Sequence, residues 1–244
     1  MPGRDLASRW FFGLVVLLSL PFWVLGALAG PVPGLPMGIP VSALMFIVPG
    51  AVALLLAARD GTARALLARL RPSRVGLVWC AGSALLISAL VLGSCTALRV
   101  VLPLPPLGLP WSSLPVLVVL FLLAATGEEL GWTGYAYARS SGSWTFALGL
   151  GAFWAGWHVI PLVQAGRGAG WIVAWFAGTV ALRVLLCRIY DASGAVLPTA
   201  ITGHAAVNVA SSALPHYDSA AVAAAVAVGF VVAASVAVPL GRAR

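Results

Sequence analysis

The chain has 244 residues, 61% of them hydrophobic and 8% charged, where a soluble domain carries about 25% charged residues. That composition excludes an ordinary soluble enzyme and points to one integral membrane domain. The net charge of +8 is all arginine, with no lysine, and the arginines lie between apolar segments. They therefore read as orienting charges in a bilayer rather than as a nucleic-acid surface.

Taken in chain order, eight apolar segments are long enough to be spans: 10–30, 39–58, 76–98, 113–131, 144–163, 168–189, 196–214 and 219–240. The expected fold is all-α, a polytopic transmembrane helical bundle of about eight spans. The fifth and seventh segments are short or polar for lipid exposure and belong inside the bundle. The first has a rival reading, because Arg4 and Arg9, an apolar stretch and Ala27-Leu28-Ala29 also resemble a signal peptide. Gly30–Pro40 and Pro103–Pro110 are Pro/Gly-rich loops. Arg59–Arg74 is a basic loop or a short amphipathic helix against anionic headgroups. Cys80, Cys95 and Cys187 sit in or beside apolar segments and read as small core hydrophobes.

The arginines set the expected orientation. With the N-terminus cytoplasmic, twelve arginines fall inside, and only Arg99 and Arg167 fall outside. Both termini are then cytoplasmic. Three regions follow: residues 1–112 with three helices and the basic loop, 113–213 with the polar motifs, and 214–244 with the last helix. The use of arginine alone, with much alanine, glycine and valine, suggests a GC-rich bacterial genome and hence the bacterial cytoplasmic membrane.

Titratable side chains inside spans are costly, so each is a functional candidate. They fall in three places: Glu128-Glu129, Trp154 to His158, and His204 to Asn208. Glu128 lies eleven residues before Arg139, about 16 Å along a helix. His158 lies fourteen residues after Trp144, about 21 Å, and His204 ten after Gly194, about 15 Å. Three helices thus present polar groups at one level, which predicts a shared site open toward the cytoplasm. Residues four apart share a face, so His204 and Asn208 point together, as do Trp154 and His158. Adjacent glutamates lie about 100° apart on a helix. One is expected in the cavity, with the other held by a partner.

A carboxylate, two histidines and an asparagine in a water-poor cavity suit hydrolysis. The carboxylate can act as general base on water. The histidines either bind a metal such as Zn2+ or position water themselves. The asparagine amide can donate to a developing oxyanion.

The three motifs, in this order, resemble the CAAX protease and bacteriocin-processing family of intramembrane endopeptidases. That family's pattern is Glu-Glu-x-x-x-Arg, then Phe-x-x-x-His, then His-x-x-x-Asn/Asp. Glu128-Glu129, Trp154 with His158, and His204 with Asn208 supply it here, over residues 113–213. The resemblance implies that Glu128 is the base and that Glu129 assists or orients. It implies that His158 and His204 position water or bind metal, and that Asn208 stabilises the oxyanion. The substrate would be a membrane-associated peptide or protein, and no nucleic acid is expected. Trp154 replaces the family's Phe, and Thr133 stands where the family has Arg. Two buried carboxylates without a cation should not both stay ionised. Arg183 on the sixth span is the candidate replacement. Loss of the motif arginine also fits a non-catalytic relative, an immunity factor or membrane scaffold. A small transporter is the third class, although no inverted repeat supports it.

Overall fold

A computed structural model describes residues 2–29, 31–33, 36–108, 111–140 and 142–240 of the chain. The described residues form helices and connecting turns, and their only β pairing is an isolated bridge between Pro31 and Pro40. The helices are α1 (Pro2–Ala29), α2 (Ile47–Arg59), α3 (Ala63–Ala68), α4 (Arg74–Leu98) and α5 (Leu114–Glu129). After them come α6 (Trp144–Gln164), α7 (Ala169–Ala192), α8 (Leu197–Ser211) and α9 (Ala220–Leu240).

Local sequence marks several of the starts. The Ser73 hydroxyl caps α4 by accepting from the Gly76 N–H at 3.1 Å, and Ser143 caps α6 by accepting from Phe146 at 3.3 Å. Pro115 and Pro198 stand in the first turns of α5 and α8, where a missing N–H costs nothing. A 3-10 segment, Val41–Phe46, leads into α2. The segment Arg59–Arg74 holds only the six-residue α3, which buries Leu66.

Among the described residues, seven helices are long and apolar enough to cross a membrane. The seventh expected span, residues 196–214, differs. Its helix α8 has 15 residues, about 22 Å, short of the roughly 30 Å hydrocarbon core. It also carries His204, Thr199, Thr202 and Asn208 and packs inside the bundle on α4, α5 and α7. This eighth expected helix is thus present inside the bundle, beside the seven that are long and apolar enough to cross a membrane by themselves. The expected end of the fourth span at residue 131 is corrected, because that element runs on to Arg139.

That extension passes through a buried π-helical stretch, Leu130–Ala136. A π turn widens the helix and leaves carbonyls without a helical partner. Arg69 donates to the Gly134 carbonyl at 2.9 Å, and Arg139 to that of Tyr135 at 3.1 Å. Helix α2 lies close against this region. A methyl group on Gly50 would stand 2.5 Å from the Gly127 carbonyl oxygen, and one on Gly131 would stand 2.6 Å from the Pro49 backbone. Only glycine allows that approach, and it fixes where Glu128 and Glu129 sit.

Helix α1 is stitched to α6. Trp157 donates its indole N–H to the buried Ser19 hydroxyl at 2.8 Å, and Gln164 donates to the Trp23 carbonyl at 2.7 Å. Cys80, Cys95 and Cys187 are buried free thiols, in keeping with their reading as small core residues.

Candidate active site

The three motifs converge. Helix α5 brings Glu128 and Glu129, α6 brings Trp154 and His158, α7 brings Arg183, and α8 brings His204 and Asn208. Both carboxylates are buried, with Glu129 at 0% exposure and Glu128 at 5%.

The adjacent glutamates face different partners. Glu129 is wholly committed. Arg183 grips it with two parallel hydrogen bonds, Nη1 to Oε2 at 2.7 Å and Nη2 to Oε1 at 2.9 Å. Thr133 donates its hydroxyl to Oε2 at 2.5 Å, and His204 Nδ1 contacts Oε1 at 2.9 Å. Arg183 is itself 0% exposed, and its guanidinium lies 4.0 Å over the Trp154 ring. It also donates to the Thr133 hydroxyl at 3.1 Å. A fork-to-fork pair of this kind is the strongest arrangement a carboxylate and an arginine can make. The cation missing from position 133 thus arrives from α7. Thr133 leaves room for it and bonds both members of the pair.

Glu128 lines the cavity instead. Two indoles hold one of its oxygens: Trp154 Nε1 donates to Oε2 at 2.6 Å and Trp132 Nε1 at 3.1 Å. The other oxygen, Oε1, stands 3.8 Å from His158 Nε2. His158 Nδ1 lies 2.9 Å from the Trp154 carbonyl, an acceptor only. Nδ1 therefore carries the proton in the neutral ring, and Nε2 presents a lone pair toward Glu128. The same logic at His204 puts the proton on Nδ1, against Glu129. Asn208, one turn beyond His204, also lines the cavity, and its side chain makes no hydrogen bond among the described residues.

The cavity measures about 280 Å³ and is mostly apolar. It runs from Glu128, His158 and His204 along Phe121 and Ala124 of α5, Pro161 and Leu162 of α6, and Trp171 and Trp175 of α7. It ends among Met37, Arg167 and Tyr217. That is the face opposite the one carrying Arg69, Arg139 and Arg188. The lining thus extends from the glutamates away from the arginine-rich side toward which the site was expected to open, since the depth estimates measured only distance from that face.

A metal site was the other option for the two histidines. No set of three or more His, Cys, Asp or Glu side chains among the described residues could hold a metal ion. Both Glu129 oxygens are taken, and Glu128 Oε2 is bound by two indoles. What remains is two imidazole nitrogens and one carboxylate oxygen that do not gather as a ligand set. The donor set does not fit a three-ligand catalytic metal.

Sequence reasoning missed Trp132 and the indole hydrogen bond of Trp154. The signal for Trp132 was present, since it lies four residues after Glu128, the same spacing that pairs His204 with Asn208.

Fold and site together define a polytopic α-helical membrane protein with a carboxylate–histidine centre lining a cavity within its bundle. Residues 110–210 match the family model described as type II CAAX prenyl endopeptidase Rce1-like, and this segment holds all three motifs. Among curated proteins none matches the chain.

Proposed function

We propose that the protein is an intramembrane endopeptidase that hydrolyses a peptide bond in a membrane-associated peptide or protein. The observation that carries this is the division of labour between the adjacent glutamates. Glu129 is locked by Arg183, Thr133 and His204, while Glu128 offers one oxygen to the cavity beside His158. The family match over residues 110–210 supports the reaction class.

A water seated between Glu128 Oε1 and His158 Nε2 would give one hydrogen bond to each. Both of its protons would then be directed, and an oxygen lone pair would be left for the substrate carbonyl. Glu128 takes one proton as the water attacks and returns it to the leaving amine. The Asn208 amide donates to the carbonyl oxygen as it gains charge. His204, fixed by Glu129, positions the substrate beside Asn208. Trp132 and Trp154 aim the base and exclude bulk water. No step requires a metal.

Arg183 also bears on the non-catalytic alternative. That reading drew its weight from Thr133, and the guanidinium from α7 supplies the charge that Thr133 lacks. With the arginine-rich face in the cytoplasm, the bilayer would present substrate to a cavity that reaches the opposite side.

The test is cleavage of quenched fluorescent membrane peptides by the purified protein, with Glu128→Gln and His204→Ala alongside. Loss of cleavage in both folded variants is expected. Cleavage undiminished in Glu128→Gln would overturn the proposal.

A further inference from the structure

Two hydroxyls in the cavity wall have no partner. Ser211 of α8 and Thr179 of α7 both line the cavity, and they are only 8% and 5% exposed. Neither side chain makes a hydrogen bond among the described residues. A hydroxyl on a helix usually turns back to a carbonyl of the preceding turn. Ser19 does so to Val15 at 2.7 Å, and Thr126 to Leu122 at 2.7 Å. Ser212, the neighbour of Ser211, bonds the Val209 carbonyl at 2.6 Å. Ser211 and Thr179 forgo that bond. Each keeps a donor and an acceptor open in a mostly apolar enclosure. A buried polar group left unpaired is costly, so each marks a place that a ligand completes.

Their positions share a direction. Ser211 lies seven residues after His204 and three after Asn208, so the three side chains leave α8 within about 60° of one another. Ser211 stands about 4.5 Å beyond Asn208 along the helix. Thr179 lies four residues from both Trp175 and Arg183, on one face of α7. Both hydroxyls are thus displaced from the carboxylates toward the end of the cavity where Trp171 meets Tyr217.

From this placement we infer that Ser211 and Thr179 bind the backbone of the substrate and hold it extended beside the cleaved bond. The inference rests on the reading of the cavity as a peptide hydrolase site. A helical peptide satisfies its own amide groups but packs the bond to be cut among its side chains. An extended one exposes that bond and leaves N–H and C=O groups unpaired, which is costly where there is little water. Neutral hydroxyls suit either backbone group, because each can donate or accept. Extended chain advances about 3.4 Å per residue, so Ser211 would meet the backbone one or two residues from the carbonyl held by Asn208. Such contacts read no side chain. The selected substrate is a membrane segment able to leave the helix at the cleaved bond.

The probes are octapeptides of alanine and leucine with an N-terminal fluorophore. One is all amide, and each of the others has a single amide replaced by an ester, which removes one N–H and weakens one carbonyl acceptor. Binding to the full-length Glu128→Gln protein in nanodiscs is read by anisotropy. Hydrolysis of the all-amide probe by protein with Glu128 intact gives KM and kcat, and mass spectrometry of the products fixes the register. Ser211→Ala is expected to weaken binding about three- to tenfold and to raise KM by the same factor with kcat kept. Ser211→Thr, which keeps the hydroxyl, restores both. Thr179→Val should act alike, with Thr179→Ser restoring. Each loss should vanish for the ester at one position, where the facing backbone group is already gone. Equal losses for every ester position overturn the inference, since the hydroxyls would then shape the cavity without touching backbone. Unchanged binding in both Ser211→Ala and Thr179→Val overturns it too. Position-specific coupling with no hydrolysis by wild type would keep the backbone contact and sink the hydrolase reading. Hydrolysis without loss or coupling would do the reverse, and failure of every probe to bind would sink both.

Discussion

Replacing Arg183 with methionine tests the core of the site. The change keeps an unbranched side chain of similar length and removes the charge. Glu129 would then keep bonds from Thr133 and His204 but lose both guanidinium contacts, at 2.7 and 2.9 Å, inside a region where both partners are 0% exposed. Unit charges about 4 Å apart interact by about 4 kcal/mol at an effective dielectric of 20. Breaking one side of a buried pair costs about 3–5 kcal/mol, in line with that figure. At about 2–4 °C per kcal/mol for a chain of this size, the midpoint in detergent should fall by about 10 °C. The informative comparison is the double variant Glu129→Gln with Arg183→Met, which removes both charges. It should be more stable than Arg183→Met alone, giving a coupling energy of several kcal/mol in the cycle. Peptide cleavage should be lost in Arg183→Met and partly restored when Thr133→Arg is added, since that returns a cation one helical turn from Glu129. Strictly additive midpoints across the cycle would refute the reasoning, as would an unchanged midpoint in Arg183→Met.

Trp154→Phe removes the 2.6 Å hydrogen bond to Glu128 while keeping an aromatic face for Arg183. A hydrogen bond to a charged group is worth about 1.5–3 kcal/mol, so kcat should fall about ten- to a hundredfold. Trp132→Phe should act in the same direction, and unchanged rates in both would show that the indoles do not aim the base. Gly50→Ala forces a methyl group against the Gly127 carbonyl and should cost about 1–3 kcal/mol, read as a lower midpoint; Gly131→Ala should behave alike against Pro49. Millimolar o-phenanthroline should leave cleavage intact, because no three-ligand set gathers among the described residues. Inhibition reversed by added zinc would contradict that expectation.

Much of the fold is written plainly in the chain. Apolar runs bounded by arginines mark all eight segments, seven of which form helices long and apolar enough to cross a bilayer by themselves, since 20 apolar residues at 1.5 Å each have one placement there. The internal helix Leu197–Ser211 was harder to size, because its apolar content resembles a span and only its polar face and length set it apart. The different duties of Glu128 and Glu129 follow from the 100° step of a helix. Arg183 was legible from charge balance, because a buried carboxylate pair lacking its motif arginine needs a cation from elsewhere. The π stretch was not legible. Gly131 and Gly134 permit it, but its formation depends on the approach of α2 and on Arg69 satisfying a freed carbonyl. The direction of the cavity was also hidden, since it depends on which helix faces meet and not on depth along any one helix.

The ion pair between Glu129 and Arg183 has a consequence for biogenesis. An arginine near the middle of a membrane helix raises its insertion free energy by about 2.5–3.5 kcal/mol. Helix α7 carries that burden until α5, made 54 residues earlier, lies beside it. Pairing then neutralises both charges, and His204 can join only when α8 follows. The bond that readies the site therefore also rewards correct helix assembly. A half-assembled bundle would expose an unpaired charge to lipid, and it would do so without a functioning centre.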